Sequence, residues 1–211
     1  LMMSKMGIER ALESKVTAKK DKKYDVCCLG SFMIEGYKNI LRYDENNKIS
    51  VYDNTYWSRL GFRGRSKYLD KIAKYNGKVF IAADTSKNNI KEIFTSKNPS
   101  FDIIANSLIN IHIDHGRKYA ANRCFETMAI GTLLFCEEGN EIFDFTPEGI
   151  IESYNLDNLF EKIDYYKKNP KKAAEKATKA QEFALKNLSN QFLTKQLVKL
   201  VGDNFTEIKR R

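Results

Sequence analysis

Residues 114–126 read Asp-His-Gly-Arg-Lys-Tyr-Ala-Ala-Asn-Arg-Cys-Phe-Glu, a polar and basic loop leading into sequence with helical spacing of apolar residues. A helix opening near Asn122 would present unpaired backbone N–H groups and roughly half a positive charge at its amino end. Arg117, Lys118 and Arg123 add full charges close by. That combination suits a diphosphate. Glu126, one turn further in, is poorly placed for phosphate and well placed to accept hydrogen bonds from ribose hydroxyls. It is equally readable as a first-turn carboxylate stabilised by the helix dipole. The donor site centred on Glu126 requires that side chain to face a crevice; a Glu126 buried in an ion pair would remove that site, and with it the enzymatic assignment drawn from it.

Other reactive side chains carry weaker arguments. His112 and His115 are the only histidines, and no carboxylate completes a recognisable ligand set with them, so no metal site is expected. Cys124 lies near both, but proximity in sequence does not establish a Cys–His nucleophile. Gly30-Ser31 fits neither the dinucleotide fingerprint nor the P-loop, which removes most support for dinucleotide or ATP binding. Phe62-Arg63-Gly64-Arg65 reads more readily as an exposed basic turn than as a phosphate contact.

The elements that must position these residues alternate between strands and helices. The run from Tyr24 to Ser31 reads as a buried parallel strand, continuously apolar from Val26 and stopping at Gly30. Residues 32–64 are an irregular insertion with a short strand near 49–52. The spacing of Tyr68, Leu69, Ile72 and Ala73 predicts a helix over 66–75, closed by Gly77. Strands are expected over 78–83, 108–113, 132–136 and 149–154, and helices over 87–95, 101–106 and 122–130. From Asp157 the chain is helical nearly to its end, interrupted at Asn169-Pro170. The expected fold is therefore α/β, a Rossmann-like parallel sheet with helices on both faces and a helical C-terminal extension. In such a sheet ligands bind at the carboxyl ends of the strands, which singles out the loops after Leu29, after Ala83 and from Asp114 to Asn122.

With 211 residues, 42% of them hydrophobic, the chain can bury one sizeable core. Residues 1–23 read as a short helix and a charged linker, and residues 24–211 as one domain. The start at Leu1 and the isolated apolar helix read as the remnant of a preceding region. No apolar run is long enough to span a membrane and no secretory signal is recognisable, so the expected location is the cytoplasm. Cys27, Cys28, Cys124 and Cys136 match neither zinc knuckles nor a disulfide framework and read as buried thiols. The net charge of +9 suits an anionic partner, although much of the lysine falls on a solvated helix face.

The strings Leu108-Ile109-Asn110-Ile111-His112 and Asn122-Arg123-Cys124-Phe125-Glu126-Thr127-Met128-Ala129-Ile130-Gly131-Thr132-Leu133-Leu134 together resemble CgeB-type (spore maturation) glycosyltransferases and related group 1 glycosyltransferases. Glu148 to Tyr154, followed by Leu159, Ile163, Tyr165-Tyr166 and Asn169-Pro170, is similar to that family's closing segment, and Tyr24 to Ser31 to the strand opening its C-terminal domain. The resemblance implies the C-terminal, donor-binding half of a GT-B enzyme and sugar transfer without a metal or cofactor, from a UDP- or GDP-type sugar donor to an unidentified glycan, protein or DNA acceptor. It also implies that Glu126 binds the donor ribose, that Arg123 and the amides of residues 121–124 face the diphosphate, and that Gly30-Ser31 lines the inter-domain cleft. Asn122, Asn110, His112 and Lys118 complete the expected donor-side set. Many relatives carry a second, sugar-contacting glutamate eight positions before the ribose-binding one, where this chain has Lys118. The usual catalytic base belongs to an N-terminal acceptor domain, so no catalytic residue is assigned. Two alternatives stay open: a non-catalytic nucleotide-sugar-binding module lacking its acceptor domain, and a basic nucleic-acid-binding or DNA-modifying protein.

Overall fold

A computed structural model describes residues 2–29, 42–43, 49–50, 68, 71–72, 74–82, 99–114, 118–189, 194 and 198–199. The strands are β1 (Tyr24–Leu29), β2 (Arg42–Tyr43), β3 (Ile49–Ser50), β4 (Val79–Ala82), β5 (Ser107–His112), β6 (Leu133–Glu137) and β7 (Glu152–Tyr154). The helices are α1 (Met2–Ser14), α2 (Pro99–Ala105), α3 (Asn122–Ile130), α4 (Ile142–Phe145), α5 (Leu159–Lys168) and α6 (Pro170–Asn187). The strands form a sheet of order β2-β3-β4-β1-β5-β6-β7, parallel throughout except for the β2–β3 pair at one edge. The chain enters at the central β1, builds towards β4, then crosses over to β5 on the other side of β1. That reversal is where doubly wound sheets open a crevice at their carboxyl ends.

Alternation along the strands assigns the two faces. Asn110 and Cys136 point at α3: the Asn110 amide Nδ2 donates to Thr127 Oγ1 at 2.6 Å, and the Cys136 and Cys124 sulfurs lie 3.8 Å apart. Phe135 and Tyr154 point the opposite way, where the ring of Phe135 meets Tyr166 of α5 and that of Tyr154 meets Tyr68. Both faces of β1, β5 and β6 are thus covered, which is why these strands read as continuous apolar runs.

Helix α3 is buried from Cys124 to Ile130, enclosed by the sheet, α1 and α6. Its neighbour α6 offers a stripe of Ala173, Ala177, Ala180 and Ala184, small side chains at helical spacing that let the two helices approach closely. Gly131 closes α3 at φ +83°, a left-handed conformation that suits glycine, and its N–H reaches the carbonyls of Thr127 and Met128. Gly77 has a different role: a Cβ there would come within 2.5 Å of the Tyr75 ring and 2.7 Å of the Asp25 carboxylate, so close approach requires it rather than a left-handed cap.

The expected short N-terminal helix, the central strands and the break at Asn169-Pro170 all occur. The strand expected over 149–154 begins only at Glu152, because Gly149 turns at φ +82°. The one-turn helix α4 has no periodic apolar signature in sequence and was not expected. The helix expected over 87–95 lies outside the described residues. Among the described residues no helix is long and apolar enough to cross a membrane. All four cysteines are buried free thiols.

Candidate functional site

The carboxyl ends of β5 and β6 are joined by a hydrogen-bonded scaffold whose hub is Asn140, a buried residue just beyond β6. Its Nδ2 donates to Asp114 Oδ1 at 2.6 Å and to the Tyr119 carbonyl at 3.2 Å, and its Oδ1 accepts the Ile142 N–H at 3.0 Å. Lys118 adds a second tie: its ammonium donates to the Glu138 carbonyl at 2.5 Å and its own carbonyl accepts the Glu141 N–H at 2.7 Å. The loop leading into α3 is therefore held against the turn after β6, and the amino end of α3 sits where parallel strands end.

Within that frame, among the described residues, three buried side-chain atoms lack a hydrogen-bond partner: Asp114 Oδ2, Asn122 Oδ1 and Arg123 Nη1. Arg123 Nη1 lies 2.9 Å from Glu126 Oε2, an ion-pair distance outside hydrogen-bond geometry. Buried polar atoms are paired in the great majority of cases, so the unpaired oxygens of Asp114 and Asn122, in one loop and the helix start it feeds, keep bonding capacity beside the ion-paired Arg123 guanidinium. Asp114 supplies an acceptor, Arg123 a cation, and the first turn of α3 its N–H groups; the Cys124 N–H is already bonded to the Ala121 carbonyl.

The structure distributes the expected donor-side residues unevenly. Asn122 and Arg123 open α3, whereas the Lys118 ammonium is tied to the Glu138 carbonyl in the turn after β6. Glu126 does not face an open crevice. It is 2% exposed, with Oε2 on Arg123 and Oε1 3.4 Å from Arg10 Nη1 of α1, the buried ion pair that counts against a direct ribose contact. Burying the carboxylate there is tolerable because two guanidinium groups offset its lost hydration. Asn110 is fully buried, its Oδ1 accepting from the Cys27 thiol at 3.3 Å and its Nδ2 donating to Thr127, so it ties β1, β5 and α3 together inside the core, away from any surface a ligand could reach. Gly30, Ser31 and the segment Phe62 to Arg65 lie outside the described residues, as does His115.

His112 is buried at the end of β5, its Nε2 3.3 Å from Asp114 Oδ1. Burial pulls the imidazole pKa down, but the charge of Cys124 and the hydrogen bond to Asp114 outweigh it and lift the pKa to about 9. Cys124 moves the other way: burial pushes the thiol up, while the Cys136 hydrogen bond and the His112 charge overcome that and bring it to about 5. Each group therefore favours the charged form of the other, and the pair is braced by Asp114 on one side and Cys136 on the other. Cys124 is completely buried, so no substrate reaches its sulfur as the structure stands.

Sequence reasoning missed Asn140, Asp114 and Arg10. Asn140 follows a strand at its carboxyl end, a position the sheet rule could have flagged; Arg10 lies more than a hundred residues from Glu126 and no local pattern connects them.

Comparison with solved structures shows the fold. The chain is similar to sucrose-phosphate synthase from Thermosynechococcus elongatus, with a TM-score of 0.51 at 10% identity over 88% of this chain and 46% of that one. It also matches a glycosyltransferase from Rickettsia africae ESF-5, with a TM-score of 0.47 at 12% identity over 92% of this chain and 51% of that one. The chain spans about half the length of these structures. Its architecture, an α/β Rossmann-like parallel sheet flanked by helices, is that of a GT-B-type C-terminal domain. No curated protein sequence matches it. The family model described as glycosyl transferase-like matches residues 65–199, more than half of the chain and including the whole loop-to-α3 site, and the chain belongs to that family.

Proposed function

We propose that this chain binds a nucleotide-diphosphate sugar, of UDP or GDP type, at the amino end of α3 and serves as the donor half of a metal-independent, CgeB-like glycosyltransferase. The observation that carries the reading is the set of unspent buried polar atoms on Asp114, Asn122 and Arg123 at the carboxyl ends of parallel strands. Arg123 and the N–H groups of the first turn of α3 face the diphosphate, stabilising the charge that grows on it as the sugar departs. Glu126 acts chiefly by holding the Arg123 guanidinium in place, since both its oxygens are engaged by arginines. The Asp114 Oδ2 atom is the carboxylate oxygen left to accept a donor hydroxyl. The acceptor site, with its base, lies outside this set of residues.

Thermal-shift titration of the chain with UDP and GDP tests the proposal, because a ligand selective for the native state raises the melting temperature. A saturable rise is expected, and Glu126→Ala should weaken it while leaving the domain folded. No response to either nucleotide would overturn the donor site. A second reading is donor binding without turnover, in keeping with a Glu126 carboxylate whose two oxygens are both held by arginines. Release of sugar from a donor that demonstrably binds separates the two.

A further inference from the structure

At the opposite, amino end of the sheet a cavity of about 440 Å³ opens between the segment that follows α1, the turn from α3 into β6, and the first turns of α6. Lys19, Lys20 and Lys22 line it, with hydroxyls from Thr17 and Thr178, and Leu108, Leu133 and Ala177 supply apolar wall. None of its lining residues is Asp or Glu. Among the described residues none of the three lysines forms an ion pair; Asp21, the one acid in the segment, is exposed and does not line the cavity.

Two features of the surroundings make the positive charge there uncompensated. Helix α6 starts at this cavity with Pro170 at its first positions, no side-chain cap and no acid in its first turn, where Lys171 and Lys172 stand against the positive end of the helix dipole. The carbonyls that would otherwise repel an anion are already occupied. Ala18 N–H bonds Ile130 O at 2.8 Å, Gln181 Nε2 bonds Ala129 O at 2.8 Å, and the Ala105 carbonyl takes both the Lys19 N–H and the Lys22 ammonium. Burial also pulls Lys22 down to about 8, against a smaller upward pull from Cys27, a desolvation cost that a bound anion would offset.

We propose that this cavity is a second ligand site, which takes a small phosphorylated molecule, its phosphate among Lys19, Lys20 and Lys22 and its less polar body against Leu108, Leu133 and Ala177. The volume falls in the range of small-molecule sites, and the division into one cationic and one apolar wall selects an amphipathic anion over a bare ion. The site is separated from the donor loop by the length of the sheet, so occupancy of one leaves the other open.

The test is an NMR titration of the full chain with phenyl phosphate, inorganic phosphate and phenol as separate probes, each in the presence of saturating UDP. Saturable shifts of the Lys19 to Lys22 and Thr178 amides are expected with phenyl phosphate, at least tenfold tighter than with inorganic phosphate or phenol. Ala174→Trp, which fills the cavity from an exposed helical position and removes no charge, should weaken binding at least tenfold, as should Lys19→Ala with Lys20→Ala. Absence of saturable shifts, binding of inorganic phosphate or phenol as tight as that of phenyl phosphate, displacement by UDP, or indifference to both variants would each overturn the proposal.

Discussion

At the carboxyl end of α3 the carbonyls from Thr127 to Ile130 each have a donor, supplied by Gly131, Thr132, Gln181 and Ala18, whereas at its amino end, among the described residues, Asn122 Oδ1 is buried without a hydrogen-bond partner and Arg123 Nη1 stands 2.9 Å from the Glu126 carboxylate outside hydrogen-bond geometry. Both ends belong to one nine-residue helix packed into the same core. An end closed with hydrogen bonds adds stability at every carbonyl, each worth about 1 kcal/mol net. An end left open forgoes that stability and keeps groups in position for something else. The contrast locates structural work at Gly131 and leaves Asn122 and Arg123 as the contacts on which the proposed donor site depends.

Breaking the open end should give the largest effect. Arg123→Ala removes a charge-assisted contact worth about 1.5–3 kcal/mol, so affinity for UDP or GDP in calorimetric titration should fall roughly tenfold to a hundredfold. An unchanged affinity would detach the diphosphate from this helix. Breaking the closed end should do the reverse. Gly131→Ala forces a Cβ into a left-handed conformation and to 3.1 Å from the Gln181 side chain, so urea denaturation should show a loss of about 1–2 kcal/mol with nucleotide affinity intact.

The buried pair behind the open end predicts a pH signature. With Cys124 lowered to about 5 and His112 raised to about 9, the folded protein holds one proton between them where the unfolded chain, with ordinary values of 9.0 and 6.5, holds two below pH 6.5 and one from there to pH 9. Stability therefore rises with pH from about 5 to 6.5 through this pair and is flat in it from 6.5 to 9. Cys124→Ala should flatten the acid slope measured by urea midpoints, and the wild-type protein should show thiolate ultraviolet absorbance at neutral pH that the variant lacks. Thiol-like absorbance would mean the pair is neutral.

The smallest effect sharpens the role of Glu126. Arg10 is more than half exposed, so its pairing contributes less than about 1 kcal/mol, and Arg10→Ala should leave stability nearly unchanged. UDP affinity should also hold steady, as expected if Glu126 works through Arg123. A several-fold gain would instead show that Glu126 must escape Arg10 to reach a ribose hydroxyl.

Much of the fold was legible because it rests on local pattern. The helix over 122–130 and the strand at Tyr24 were marked by apolar spacing and by Gly131 and Gly30, and the interruption at Asn169-Pro170 by proline's missing N–H. The one-turn helix α4 escaped because four residues are too few to show a period. At the site, the loop and its basic character were readable, but residue roles were not. Asn110 lies inside a strand and Arg123 at the start of a helix, both polar and both in the expected donor-side set, and only packing makes one a buried core tie and the other the ion-pair partner of Glu126.

What the sequence determined by itself was the alternation of elements and the placement of a basic loop ahead of a helix, since these depend on neighbours three or four residues apart. Tertiary structure alone decided which polar atoms are used up. Arg10 meets Glu126 and Asn140 meets Asp114 across long stretches of chain, and burial, which turns such contacts into strong ones, is a property of the folded whole.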